Sequence, residues 1–556
     1  MQCQQNGVIF YFFVQRRSAG STTAMPLSTC ELFLSLISAL QVEILIDWLA
    51  AKDVGKLDSA FVARGIRESF LKILEEEHCV FKHTFRGFRG GYFPWMIKRR
   101  IKVSNAKLPH SFDNVQQTQF FQTTGKYLRK LDAWQSTNTK DVKIITNIVS
   151  ELSTLCNNLE ELIFAGCDLL KANICSVLQH FPRLRYLNLT HCHSNISGEM
   201  IFCINENARN LQTLMLSKCR IDAEAAIQSF STNHTIHTLE VLGVIQLDNL
   251  FPFIHNCKGL RVLYVGYINL YDLLRVLKEC PKLHTLAASV TDGQPSDTSN
   301  AAFDNLIANI QGLKVLQLHL TYENNLSDDK LHRLVRNCPN LRMFITGRVQ
   351  KLYGVEFNLD YYESNVNLDI RPHIGVELNE AKKKHQLQML VVGSISISTL
   401  QSIVSCCPQL TSIWTTCPAD ANGAIDRTLW GTFIATMSAL SLKSLRIESC
   451  ADLSPADLLP LRNLTYLSLT DTELQHIDVV ELISRNPLLK KLYLLSCKYL
   501  KHDTLLYIVD KCVHLEELEF GSQETPANYT SENMDIVSNF IKLHRPKLKK
   551  MVTTNV

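Results

Sequence analysis

Thiols and imidazoles are the side chains with most capacity for chemistry here, with 18 cysteines and 18 histidines in 556 residues. His191 and His193 flank Cys192, and His234 and His237 stand three apart. Imidazole and thiolate together are the ligand set of zinc, so both runs are metal candidates. Their context argues otherwise. No C-x-x-C pair occurs anywhere, and two histidines beside a buried cysteine at a strand end read as rim side chains. H-E-x-x-H, G-x-S-x-G, an EF-hand loop and G-x-x-x-x-G-K-[ST] are also missing, and these are the arrangements that activate water, a serine, calcium or a nucleotide phosphate. The expectation is a protein with no catalytic residues, no metal and no cofactor.

The cysteines carry information through their phase instead. CNNLEELIFAGC (Cys156–Cys167), FPRLRYLNLTHC (Phe181–Cys192) and ARNLQTLMLSKC (Ala208–Cys219) share the frame L-x-x-L-x-L-x-x-C. Alternation by twos makes a strand with one buried face, and a period in the twenties makes a repeat stack. Cys167, Cys192, Cys219, Cys417, Cys450 and Cys497 follow such strands, and Cys156, Cys257, Cys280, Cys338, Cys407 and Cys512 precede them. Phased in this way they read as small buried residues between repeats, kept reduced. The expected location is the cytoplasm, the nucleus or both, with disulfides as the lesser alternative.

Strands are expected to begin around Leu128, Leu159, Leu184, Leu211, Ile236, Leu260, Leu283, Leu313, Leu341, Leu387, Leu410, Leu442, Leu464, Leu489, Leu515 and Leu548. Regular steps run from 23 residues (260 to 283) to 27 (184 to 211), room for one strand and one short helix. Ala172–Phe181 and Leu270–Cys280 show helical three-four spacing. Asn188 and Asn463, both in N-x-S/T contexts, are read as strand residues and not glycosylation sites. Two long steps interrupt the rhythm, one through the polar Ser289–Asn300 and one through a 346–386 insertion, which belongs on the rim.

The remaining bounds are mild. Net charge is +4 and 46% of residues are hydrophobic, which points to neither nucleic acid nor a membrane surface. The apolar opening Gly7–Arg17 has its charges after the apolar run and is too short to span a bilayer. Met25 is an alternative start, so residues 1–28 read as a tail.

Two resemblances follow from these residues. CPKLHTL (Cys280–Leu286) and CPQLTSI (Cys407–Ile413), with LNLTHC and LRIESC, resemble the cysteine-containing class of leucine-rich repeats. This implies an α/β solenoid, a horseshoe with a parallel sheet on the concave face and helices on the convex face. ALQVEILIDWLAAKDVGKLDSAF resembles the F-box motif, with Leu40-Gln41-Val42-Glu43 in place of L-P-x-E, and Leu49, Asp53-Val54 and Leu57 fitting its later part. Gln41 replaces the proline, the segment is about one helical turn short, and Arg64 stands where tryptophan is usual. Residues 29–86 read as an F-box-like helical segment, 87–125 as a basic linker or N-terminal cap whose Trp95 packs on the first repeat, and 126–556 as about sixteen repeats. The combined layout is similar to F-box/leucine-rich-repeat proteins. It implies the substrate-recognition subunit of a Skp–cullin–F-box ubiquitin ligase, with no catalysis of its own.

In that reading Leu40, Ile44, Leu45, Trp48, Leu49, Val54 and Leu57 dock the Skp-type adaptor, which carries the cullin. The concave sheet holds a protein substrate. Strand alternation assigns its outward row to Ile163, Asn188, Met215, Glu240, Tyr264, Ala287, Gln317, Ile345, Val391, Trp414, Arg446, Ser468, Tyr493 and Glu519. Trp, Tyr and Arg dominate binding hot spots, so Tyr264, Trp414, Arg446 and Tyr493 are the candidate contacts. Packing of Tyr264 and Trp414 on neighbouring repeats is an equal alternative. The competing function is a binding scaffold or inhibitor whose N-terminal helices only cap the repeats.

Overall fold

The structure, a computed structural model, describes residues 41–42, 45, 54, 58, 64–81, 92–108, 114–133, 151–166, 178–192, 196–222, 232–243, 247–291, 300–320, 328–346, 385–393, 395–416, 427–438, 440, 442–448, 455–458, 460–470, 472, 474–497, 502–522, 548 and 550–555. The chain forms two compact units, Met1–Leu260 and Arg261–Val556.

In the first unit helix α1 (Arg64–Glu75) leads into strand β1 (Val80–Phe81), which pairs in parallel with β2 (Lys102–Val103) across helix α2 (Tyr92–Lys98). Strands β3 (Asn105–Lys107), β4 (Lys130–Asp132), β5 (Glu161–Ile163), β6 (Tyr186–Asn188), β7 (Thr213–Met215) and β8 (Thr238–Val241) then pair in sequence order, all parallel. Helices α3 (Asn114–Thr124), α4 (Gly198–Asn207) and α5 (Phe251–Asn256) lie between or after them.

The second unit continues the alternation. Its strands are β9 (Val262–Asn269), β10 (Thr285–Thr291), β11 (Val315–Leu320), β12 (Met343–Ile345), β13 (Met389–Val391), β14 (Ser412–Thr416), β15 (Ser444–Glu448), β16 (Tyr466–Thr470), β17 (Lys491–Leu495), β18 (Glu517–Ser522) and β19 (Lys550–Asn555). Each is parallel to the next. The helices are α6 (Leu270–Glu279), α7 (Asn300–Ile310), α8 (Asp328–Asn337), α9 (Ile397–Cys406), α10 (Arg427–Ser438), α11 (Pro455–Leu458), α12 (His476–Arg485) and α13 (His502–Lys511). Strand–helix alternation with parallel neighbours in register is the architecture of an α/β leucine-rich-repeat solenoid.

Each of the sixteen anchors sits two residues ahead of a strand, from Leu128 before β4 to Leu548 before β19. Those from Leu128 to Leu515 are buried, each contributing about 2 kcal/mol of apolar burial. The backbone explains the register. The carbonyl just after an anchor accepts two N–H groups from the next repeat: Lys443 O, for example, takes Thr465 N at 2.7 Å and Tyr466 N at 3.1 Å.

The cysteines that recur with the repeat occupy two structural niches. Cys280, Cys338, Cys407 and Cys512 are buried where a helix ends and the next anchor begins, and Cys280 N closes α6 on Val276 O at 2.9 Å. Asn486 takes the same niche after α12 and fills it with polar bonds, donating to Leu461 O and Leu482 O while accepting from Leu464 N. Behind the strands, Cys192 donates to Phe164 O at 3.5 Å and Cys219 to Leu189 O at 3.0 Å. The residue before this second niche turns the chain through the left-handed region, as at Gly166, His191, Lys218 and Ser496. His191 is thus an exposed turn residue at φ 61°. His193 lies outside the described residues.

Within the 87–125 segment, β3 adds a strand ahead of β4. Its frame, Val103-x-x-Ala106-x-Leu108, carries Val and Ala at the leucine positions of the repeat, and all three are buried. Trp95 donates its indole N–H to Asp58. One expectation is corrected, that Asn463 is a strand residue. Asn463 lies at φ 64° in the bend before β16, where an asparagine side chain tolerates the left-handed region.

Burial pushes the Cys156, Cys338 and Cys407 thiols up to about 12, so they carry almost no thiolate, the reactive form, near neutral pH. We expect iodoacetamide at pH 8 to leave these three unmodified in the native protein and to alkylate them after unfolding in urea. Peptide mass analysis reads the difference, and native labelling would contradict the packing described.

Candidate functional site

Strand pairing places the outward row as alternation requires. Ile163, Asn188, Met215 and Glu240 are successive partners in the first unit. In the second, the row runs Tyr264, Ala287, Gln317, Ile345, Val391, Trp414, Arg446, Ser468, Tyr493 and Glu519. The intervening residues, such as Leu286, Ile413, Leu467 and Leu518, are buried, and α6 packs on β9 and β10.

Three of the four candidate contacts gather into one patch. Trp414 is 6% exposed and stacks on Tyr466, ring centroids 5.9 Å apart at 19°. Tyr466 meets Tyr493 at 5.5 Å. The Arg446 guanidinium sits 5.7 Å from the Trp414 ring centroid and pairs with Glu448 at 2.8 Å. Trp414 Nε1 donates to Ser444 Oγ at 3.2 Å. Tyr493 donates to Glu517 at 2.6 Å, and the same carboxylate pairs with Lys491 at 3.0 Å. Ile345, Met389 and Val391 close the apolar side of Trp414. The indole and guanidinium therefore stand locked in place, each with a polar partner.

Tyr264 stands apart. It is half-buried on β9, five strands or about 24 Å from Trp414 at the usual sheet spacing. Sequence reasoning missed Tyr466, Lys491 and Glu517, which complete the patch. They sit two residues ahead of the row, and residues i and i−2 of a strand share a face, so a second outward row was there to be read.

At the N-terminal end, Leu45 and Val54 are fully buried, and Gln41 and Val42 nearly so. Leu40, Ile44, Trp48, Leu49 and Leu57 lie outside the described residues. The polar centre of this segment is Asp58, its side chain 2% exposed. One oxygen accepts from Arg67 Nε at 3.0 Å, and the other from Trp95 Nε1 and Arg99 Nε, both at 3.0 Å. Burial alone would raise this carboxyl, but the Arg67 and Trp95 bonds and the Arg99 and Arg67 charges outweigh it and hold it below the usual range. Nearby, Lys102 donates to Glu75 O at 2.7 Å and Glu76 O at 2.6 Å, a cation at the negative end of α1. Asp58 and Lys102 fasten this segment to α2 and β2.

Nothing in either arrangement presents a nucleophile with a base. Among the described residues no group of three His, Cys, Asp or Glu side chains could hold a metal, and no helix is long and apolar enough to cross a membrane.

The parallel strands in register and the helices between them define a leucine-rich-repeat fold. No family model matches the sequence, and no curated protein matches it. Among solved structures, the yeast Rad7–Elc1 complex matches with TM-score 0.38 and 16% identity, covering 69% of this chain and 88% of that one. The leucine-rich-repeat-containing protein LegL7 of Legionella pneumophila gives 0.32 and 12%, covering 65% and 98%. The TLR13–ssRNA13 complex gives 0.32 and 14%, covering 82% and 51%.

Trp414→Ala is expected to lower stability by about 3–5 kcal/mol, as for a buried aromatic, and Tyr264→Ala by under about 1.5 kcal/mol, since it is only half-buried. Urea midpoints decide this, and equal losses would mean that Trp414 is not the packed member. Asp58→Asn should cost about 3 kcal/mol, because it leaves two guanidiniums without their anion. With its folded pKa depressed, Asp58 stabilises fully above the unfolded value of about 3.9 and loses that contribution as pH falls through the lower folded value. The stability gap between wild type and the Asp58→Asn variant should therefore shrink in strong acid. A gap independent of pH would remove the ionic account.

Proposed function

We propose that this protein is the substrate-recognition subunit of a Skp–cullin–F-box ubiquitin ligase, holding a protein substrate on the sheet face opposite its helices. The observation that carries the reading is a helical segment with F-box-like residues fastened through Asp58 to Trp95 and Arg99, directly ahead of the repeats. A receptor of this kind has to transmit no chemistry. It has to hold adaptor and substrate at a fixed separation, and a segment tied by a buried carboxylate suits that task. Leu45 and Val54 are buried, so adaptor docking is assigned to Leu40, Ile44, Trp48, Leu49 and Leu57. The Trp414–Arg446–Tyr493 patch is buried and stiffens the sheet face, a preordering that lowers the entropy lost on binding, and contact with substrate is assigned to the half-buried Tyr264, Tyr466 and Lys491. The chain catalyses nothing itself and works where thiols stay reduced, in the cytoplasm or nucleus.

The burial of Leu45 and Val54 also favours a second reading, a scaffold whose N-terminal helices only cap the repeats. Affinity capture separates the two. The intact chain is expected to bring down the Skp-type adaptor with cullin, and a version lacking residues 31–76 to bring down neither while its repeats keep their circular dichroism. If the intact chain captures no adaptor, the capping reading replaces the ligase one.

A further inference from the structure

One charged feature belongs neither to the patch around Trp414 nor to the N-terminal segment. The residue directly after each anchor enters the strand at its N-terminal end, and in four consecutive repeats of the second unit it is Arg261, His284, Lys314 and Arg342. The backbone stacks them: His284 N donates to Arg261 O at 2.9 Å, Lys314 N to His284 O at 2.8 Å, and Arg342 N to Lys314 O at 2.7 Å. The four thus recur at about 4.8 Å, spanning about 14 Å of rim. Arg261, Lys314 and Arg342 are exposed, as is Lys282 two residues before His284. No carboxylate among the described residues pairs with any of them. Their mutual field is felt at His284, whose pKa burial lowers first and the Lys314 and Arg261 charges lower further.

The same position elsewhere is balanced. In the first unit it reads Arg129, Glu160, Arg185, Gln212, His237, with Arg129 paired to Glu160 at 3.5 Å. Beyond β12 it reads Gln388, Thr411, Lys443, Thr465, Lys490, Glu516, where no two cations are adjacent. Like charges stacked across neighbouring strands oppose pairing, so the run from β9 to β12 is kept against a local electrostatic cost.

We propose that the rim formed by Arg261, Lys282, His284, Lys314 and Arg342 is a docking site for an acidic polypeptide segment, a run of about four to five extended residues rich in carboxylate or phosphate, matched to the length of the stripe at about 3.4 Å per residue. A single-stranded nucleic acid fits less well, because bases need aromatic platforms beside the cations. The exposed aromatics Tyr267, near the C-terminal end of β9, and Tyr271, at the start of α6, stand away from the stripe, Tyr267 roughly 20 Å from Arg261 along the strand. The site is distinct from the substrate patch and independent of any adaptor.

The test is fluorescence anisotropy of the full chain with labelled poly-glutamate and, separately, labelled oligothymidylate, at low and at physiological salt. Poly-glutamate is expected to bind, to weaken with added salt, and to bind at least about tenfold more weakly to the R261E/K314E/R342E variant, since like charges now face each other and repel. A K443E/K490E control, altering isolated lysines of the same row, should stay within about twofold of wild type. Should the triple variant fail to fold by circular dichroism, K314A alone is expected to weaken binding by about twofold or more. The proposal is overturned if wild type ignores poly-glutamate at low salt, if the rim variants bind as wild type does, if the control loses as much, or if oligothymidylate binds more tightly. Adaptor capture by the triple variant should match wild type, so failure here leaves the ligase reading standing.

Discussion

The structure rests on a backbone constraint. A strand of three to eight residues cannot satisfy its own N–H and C=O groups, and within each unit a repeat hands them to the next. The carbonyl after an anchor takes two N–H donors from the following repeat, as Thr465 O does from Lys490 and Lys491. Register is thereby fixed along the run, and the buried anchors have to lie one above another. A repeat removed from its neighbours would expose both its polar backbone and its leucine. Position in the sequence is converted into position on a surface with little freedom left over.

That conversion is what gives the outward face its chemistry. Residues far apart in the chain, such as Trp414 and Arg446, become lateral neighbours because Trp414 pairs with Arg446 across β14 and β15. Stacked side chains can then satisfy one another, and around Trp414 they do so, which trades accessibility for rigidity. Along the rim from β9 to β12 the same stacking brings together cations that nothing among the described residues neutralises. One architectural rule thus yields a closed, neutral aromatic patch and an open, charged stripe. The difference lies in which residue types recur at a fixed phase.

The N-terminal segment follows a different logic. Asp58 is buried and charged, a combination that is stable only when the anion is met by several donors. Arg67 comes from α1, while Trp95 and Arg99 come from α2 and its end. The attachment is directional and specific where leucine packing alone would permit sliding. That suits either a cap or an adaptor-bearing arm.

Strand positions and the outward row were legible in the amino-acid sequence, because a period near 25 and an alternation by twos are local signals tied to burial. Leu128 to Leu548 mark every strand from β4 to β19. β3 was hidden because Val103 and Ala106 fill leucine positions without the leucine signature. The partners of Asp58 lay beyond sequence reasoning, since nothing local distinguishes an aspartate that will meet Trp95 and Arg99 some forty residues on. Which candidates would touch was likewise settled only by tertiary structure. Trp414, Arg446 and Tyr493 converge, with Tyr466 between them, while Tyr264 stays apart, because lateral distance counts strands and side-chain reach rather than residue type. Periodicity determines what faces outward, and stacking decides what those residues meet.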